Sequence, residues 1–194
     1  MLLFRPKIHI ETERLVLRLP RLADYGQWSQ TRRAGADFLL PWEPVRDRDY
    51  SGKKAFRNRV YWSAKTTQDG RALPLFLTRR TDGAFLGAIT LSNIRRGPAQ
   101  MATLGYWIGP DHARQGLMSE AVSGLVAYAF DEMDLSRIEA ACLKENAPSR
   151  GLLERCGFKY EGVAQSYLQI AGRWRNHVLY ANIRDDRRGR SNAH

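Results

Sequence analysis

The chain has 194 residues, 43% of them hydrophobic and 26% charged, which is enough apolar material for one folded domain and too much for a disordered chain. Its two cysteines, Cys142 and Cys156, exclude a disulfide framework and have no metal-ligand spacing, so no metal is expected. Lys and Arg outnumber Asp and Glu by 31 to 20, and the resulting net charge of +11 favours acidic partners such as nucleic acid, a ribosome surface or a phosphorylated cofactor.

The start, Met1-Leu2-Leu3-Phe4-Arg5-Pro6, is too short an apolar run for a signal peptide. No stretch approaches the ~18 apolar residues of a membrane span, so a cytoplasmic protein with no membrane partner is expected. Alternation over 8–19, with Ile10, Leu15, Leu17 and Leu19 apolar and Arg14 and Arg18 between them, predicts a strand. A short helix follows over Ala23 to Arg33. Pro41 and Pro44 make Phe38-Leu39-Leu40-Pro41-Trp42-Glu43-Pro44 an unusually apolar loop. Phe56, Val60 and Ala64 recur every four residues in a second helix over Arg48 to Thr66.

After the turn at Asp69-Gly70 come three strands, Leu73 to Thr78, Ala84 to Leu91 and Met101 to Ile108, the first two joined by a Thr81-Asp82-Gly83 hairpin. The clearest helix runs from Gly116 to Met133. Leu117, Ala121, Leu125 and Tyr128 form one row on it, and Met118, Val122, Val126 and Ala129 form the next. Arg137 to Leu143 is a buried strand, Pro148 to Cys156 a short helix stopped at Gly157, and Gln165 to Ile170 and His177 to Ile183 two closing strands. This order predicts an α/β domain over residues 1–183, with a mixed sheet of about seven strands and helices on its faces. Basic pairs are scattered along the chain, and only Arg184 to His194 has the composition of a basic tail. None of the sequence-specific nucleic-acid motifs is present.

Two stretches carry the chemistry. The first, Leu104-Gly105-Tyr106-Trp107-Ile108-Gly109-Pro110-Asp111-His112-Ala113-Arg114-Gln115-Gly116-Leu117-Met118-Ser119-Glu120-Ala121, runs from a strand through a polar turn into a helix. Amides at a helix start have no intrahelical acceptor and lie at the positive end of the dipole, so such a turn suits a phosphate or pyrophosphate. The plainer reading is a junction that merely needs a glycine. In the second, Asn146-Ala147-Pro148-Ser149-Arg150-Gly151-Leu152-Leu153-Glu154-Arg155-Cys156-Gly157-Phe158, Asn146 is either a helix cap or an amide that contacts a ligand beside the preceding strand.

Together the two stretches resemble the coenzyme A site of the Gcn5-related N-acetyltransferase (GNAT) superfamily, and the resemblance covers nearly the whole chain. Within that superfamily, Phe38-Leu39-Leu40-Pro41-Trp42-Glu43-Pro44-Val45-Arg46-Asp47 is similar to the RimJ type of ribosomal-protein-alanine N-acetyltransferases. The family's pyrophosphate loop, Gln/Arg-x-x-Gly-x-Gly/Ala, is matched in full only at Gly116, with Ala113, Arg114 and Met118 at the other positions.

The resemblance implies a V-shaped opening between the fourth and fifth strands, those ending at Ile108 and near Leu143, that takes acetyl-CoA as co-substrate. It implies pantetheine and thioester contacts from Trp107 and Ile108, and pyrophosphate contacts from Arg114, Gln115, Gly116, Leu117, Met118 and Ser119. Asn146 would contact the pantetheine. The implied reaction is direct attack of a neutral amine with no acyl-enzyme, Cys142 and Cys156 being bystanders. The implied acceptor is the N-terminal α-amine, alanine first, of a small-subunit ribosomal protein, with loose ribosome association through the basic surface. An α-amine titrates near ~8 and a lysine near ~10.4, which favours the α-amine where no strong base is evident. Glu43 is the candidate amine-facing carboxylate, or else a surface residue beside Arg46. Ser149 is the candidate acid for the leaving thiolate, or else a first-turn helix residue, and Tyr167 is an alternative acid by type. A small amine or antibiotic as acceptor, or a non-catalytic ribosome- or RNA-binding protein on the same fold, are the other readings.

Overall fold

A computed structural model describes residues 8–187. Its eight strands are β1 (His9–Glu11), β2 (Leu15–Arg18), β3 (Leu73–Arg79), β4 (Phe85–Arg95), β5 (Met101–Ile108), β6 (Arg137–Leu143), β7 (Lys159–Ile170) and β8 (Arg173–Ile183). They form one sheet in the order β1-β2-β3-β4-β5-β6-β8-β7. All neighbours are antiparallel except β5 and β6. The helices are α1 (Tyr25–Ala34), α2 (Ala36–Leu39), α3 (Lys53–Gln68), α4 (Leu117–Asp131) and α5 (Ala147–Arg155).

Period-two alternation divides the core into two layers. Leu75 and Leu77 of β3 join the larger cluster, which holds the buried face of α4, while Phe76 between them joins Trp28 of α1 and Phe56 and Val60 of α3. Helices therefore cover both faces of the sheet. Seven of the eight residues in the two expected rows of α4 are buried, with Ala121, Val122, Leu125 and Ala129 fully enclosed and Tyr128 half-buried. Pro74 sits in β3 beyond the stretch that pairs with β2, at a position with one neighbouring strand, where its missing N–H is tolerated.

Three expectations are corrected. The single strand over 8–19 is two strands, because Thr12 to Arg14 turn the chain back and Thr12 N donates to Leu15 O at 2.9 Å. Alternation continues through such a turn and cannot show it. The sheet thus has eight strands, and the opening lies between the fifth and sixth in chain order, at the residues expected. The segment 38–44 is not all loop: α2 leads into a 3-10 turn at Leu40–Trp42 with Pro41 in its first turn, a place where its missing N–H costs nothing. The closing strands are longer than expected, because two register shifts in β7 and its exposure interrupt the alternation. Past β8, Arg184 donates to Phe130 O and Asp134 at 2.9 Å, and Arg187 pairs with Asp134 at 2.5 Å. Residues 188–194 of the basic tail lie outside the described residues.

The feature that positions the site is a parting of strands. β5 and β6 pair from Met101 opposite Arg137 to Leu104 opposite Ala140 and no further. Beyond that point β5 stays on β4 as far as Ile108, and β6 stays on β8 as far as Leu143. Gly87 of β4 presses on the parted end: a Cβ there would lie 2.4 Å from Trp107 O and 2.9 Å from Ile108 Cα, both backbone. Gly87→Ala should therefore cost about 2 kcal/mol and lower Tm by about 4–8 °C in a calorimetric scan. An unchanged Tm would show that β5 is free to move away.

Candidate functional site

Backbone groups of Gly105–Ile108 and Ala141–Leu143 that point across the opening have no strand partner. Beside it the chain runs through a 3-10 turn at Pro110–His112 into α4, with Arg114 and Gly116 both left-handed at φ 61° and 75°. Glycine takes that conformation at no steric cost and arginine does not. The first intrahelical bond is Glu120 N to Gly116 O at 3.0 Å, so the amides of Leu117, Met118 and Ser119 have no helical acceptor. The Leu117 and Met118 side chains are buried in the core, which leaves only their backbone to meet a ligand. Gln115 turns its side chain onto Asp111 O at 2.8 Å, and the exposed Arg114 forms no ion pair with a described residue.

Glu120 holds this turn against the β1–β2 hairpin. Its carboxylate accepts from Thr12 Oγ1 at 2.5 Å, Arg14 N at 2.7 Å and Arg14 Nε at 2.6 Å, while Arg14 Nη1 also donates to Gln115 O at 3.0 Å. Burial opposes the charge on Glu120, but these hydrogen bonds outweigh it and hold the carboxyl below its ordinary value.

Across the opening, Asn146 caps α5, its Oδ1 accepting from Ser149 N at 3.1 Å. Nδ2 makes no hydrogen bond to a described residue. Ser149 Oγ lies 2.7 Å from the hydroxyl of Tyr106, which reaches over from β5. Burial pushes the Tyr106 phenol well above its ordinary value, partly offset by Ser149. The phenol therefore stays protonated, and either hydroxyl can donate to the other. The Cys142 thiol, also raised by burial, is within reach of the same hydroxyl. Sequence reasoning missed Tyr106. The available signal was a phenol on the β5 face shared by Ala102 and Leu104, since a buried O–H needs a partner. Tyr167 instead sets its ring on His177, 5.7 Å between centroids.

Glu43 lies on the other side of the sheet, among aromatic rings. Oε1 accepts from the buried Arg32 at 2.5 Å and Oε2 from Arg46 at 3.5 Å. Its backbone carbonyl accepts from Ala171 N at 3.0 Å, which ties the 40–46 segment to the tip of the β7–β8 hairpin. Tied in this way the two segments make a wall, with Phe38, Leu40, Trp42 and Val45 exposed on and just before the first and Leu168 and Trp174 exposed on the hairpin. The parted strands thus bring Trp107, Ile108, Asn146 and Ser149 to one opening flanked by the 114–119 turn, with Glu43 set on the α1/α3 side. Among the described residues no group of three or more His, Cys, Asp or Glu could hold a metal ion, and no helix is long and apolar enough to cross a membrane.

Residues 14–159 match the family described as an acetyltransferase (GNAT) domain. The chain is 36% identical over 182 residues, 91% of each chain, to the [ribosomal protein uS5]-alanine N-acetyltransferase of Escherichia coli K12. The ribosomal-protein-S5-alanine acetyltransferase of Vibrio fischeri superposes with a TM-score of 0.86 at 27% identity, over 94% of this chain and all of that one. Mycobacterium smegmatis RimJ, solved with CoA-disulfide, superposes with a TM-score of 0.84 at 31% identity, over 89% of this chain and 83% of that one.

The depressed Glu120 carboxyl predicts a pH dependence. A lowered folded value stabilises fully above the unfolded value near 4.5, and that stabilisation is lost as pH falls through the folded value. Glu120→Gln should cost about 1 kcal/mol at pH 7, with the gap to the parent closing below the ordinary glutamate range in denaturant titrations. A gap that did not vary with pH would remove the charge from the account.

Proposed function

The chain belongs to the GNAT acetyltransferase family, and on that premise we propose that it transfers acetyl from acetyl-CoA to the N-terminal α-amine, alanine first, of a small-subunit ribosomal protein. The observation that carries this reading is the parting of β5 from β6 beside the free amides that open α4, in a chain alike over most of its length to an enzyme named for a ribosomal-protein alanine. The acetyl-CoA fits the donors present. Unpaired backbone of Trp107 and Ile108 takes the pantetheine arm and thioester carbonyl, and Nδ2 of Asn146 contacts the pantetheine. The turn of Arg114, Gln115, Gly116, Leu117, Met118 and Ser119 takes the pyrophosphate. Backbone donors serve whatever side chains stand at Ala113 and Met118.

The step is direct attack. The amine lone pair forms the new C–N bond, the C–S bond breaks, and the nitrogen proton leaves through water. Glu43, held by Arg32 and Arg46, draws the amine to the opening. Backbone N–H groups of the parted β5 stabilise the developing oxyanion. Ser149 gives its proton to the departing thiolate and regains one through water, and Tyr106, when it donates to the serine oxygen, turns the serine proton to the opening and steadies the oxygen left behind. Burial keeps the Cys142 thiol protonated, which favours direct attack over an acyl-enzyme. The net charge of +11 supports loose association with the ribosome in the cytoplasm.

The test is intact-mass spectrometry on a peptide with an N-terminal alanine and one internal lysine, incubated with acetyl-CoA. One acetyl on the α-amine is expected. Acetyl on lysine only, or none, would overturn the reading. Asn146→Ala should raise KM for acetyl-CoA several-fold. Ser149→Ala and Tyr106→Phe should each lower kcat by about 10- to 100-fold with KM for acetyl-CoA little changed. Unaltered kcat in both would take the hydroxyl pair out of the reaction.

A further inference from the structure

The ring of Tyr50 carries three guanidinium groups. The Cζ atoms of Arg32, Arg46 and Arg59 lie 5.3, 4.7 and 4.8 Å from its centroid. Arg32 also lies over the Trp107 ring at 4.7 Å and Arg59 over Trp28 at 5.4 Å. Guanidinium does not lose its charge in a protein, and among the described residues the one carboxylate paired with this group is Glu43. Asp47 and Asp49, nearby in sequence, are exposed and form no ion pair with a described residue. Two of the buried nitrogens, Arg32 Nη1 and Arg59 Nε, have no hydrogen-bond partner, and Arg32 is only 6% exposed. Aromatic faces offset part of the surplus charge. Water can satisfy an N–H group but leaves the surplus in place.

From this cluster we infer that the acceptor carries a carboxylate in its first few residues, which docks between Arg46 and Arg59 and completes the charge balance begun by Glu43. The inference rests on the proposed transfer to a peptide N-terminus and names the class of peptide. The cluster belongs to the α1/α3 face, with Trp107 packed on that layer, whereas the open amides belong to α4 on the opposite face. Phosphates held at α4 therefore do not neutralise it, and the anion arrives with the acceptor. An extended peptide advances about 3.3 Å per residue. With its amine at the open edge of β5 and its second to fourth residues passing the Trp107 ring, an Asp or Glu side chain meets the planar donors, whose geometry suits a carboxylate. Arg46 is the accessible member, with its side chain 41% exposed, and Arg59 lies deeper.

The experiment compares N-terminal alanine peptides carrying Glu, Gln or Lys at the second, third or fourth position. The readout is kcat/KM for α-amine acetylation by the parent, Arg46→Gln and Arg59→Gln proteins. At one position Glu should exceed Gln by tenfold or more and Lys should be poorest. Each variant should reduce the Glu-to-Gln ratio to threefold or less, with KM for acetyl-CoA and Tm of Arg46→Gln unchanged. Equal acetylation of all peptides would overturn the carboxylate preference and leave N-terminal transfer standing. A Glu preference that survives both variants would overturn the assignment to this cluster. If no peptide is acetylated, the transfer reading fails, and calorimetry of the CoA-loaded protein with the Glu and Gln peptides decides: tighter binding of Glu that is lost in Arg46→Gln sustains the site, and equal binding overturns it.

Discussion

Everything the site does depends on two parallel strands ceasing to exchange hydrogen bonds after Leu104 and Ala140. Unpaired backbone inside a sheet is costly unless something else meets it, so the parting has to be held open by elements that keep each strand on its outer neighbour. β4 does this for β5, with Gly87 allowing a backbone approach no other residue permits. β8 does it for β6 up to His177 opposite Leu143. The hydroxyls of Tyr106 and Ser149 then bridge the gap without closing the ladder. The opening is thus a fixed property of the sheet, and its polar edges are available to a ligand before one arrives.

Charge is arranged differently on the two faces. On the α4 face a single carboxylate, Glu120, gathers three donors from the β1–β2 hairpin and sets where the open amides lie. On the α1/α3 face the balance is reversed: three guanidiniums surround one ring, and among the described residues the one carboxylate paired there, Glu43, meets only Arg32 and Arg46. The first arrangement is complete in itself and the second is not. That asymmetry is what the proposed transfer needs, with the donor meeting neutral backbone and the proposed acceptor meeting side chains.

The elements legible in the sequence were those whose environment is uniform along their length. β5 and β6 end where expected, since each is bounded by a glycine-bearing turn or a helix cap, and α4 shows because seven of its positions are buried at helical spacing. Features set by tertiary contact were hidden. The turn at Thr12 to Arg14 depends on Glu120, 108 residues away from Thr12. The helical turn around Pro41 depends on where Glu43 is tethered, and most of β7 is exposed on a sheet edge, where periodicity has nothing to record. At the site, Asn146 was legible as a helix cap, since its bond to Ser149 N spans only three residues, whereas the pairing of Glu43 with Arg32 and the approach of Tyr106 to Ser149, 43 residues apart, arise between different elements.

The strand order has a consequence for biosynthesis. β8 lies between β6 and β7, so β7 leaves the ribosome before the strand that attaches it to the sheet exists. The outer edge of β6 stays uncovered, and the wall that joins Glu43 to Ala171 stays open, until Arg173–Ile183 has emerged. Chains halted earlier expose an apolar strand edge to their neighbours, a state prone to aggregation. The last strand of the sheet therefore acts as a check: only a chain translated through Arg173–Ile183 can close the sheet around β6 and β7.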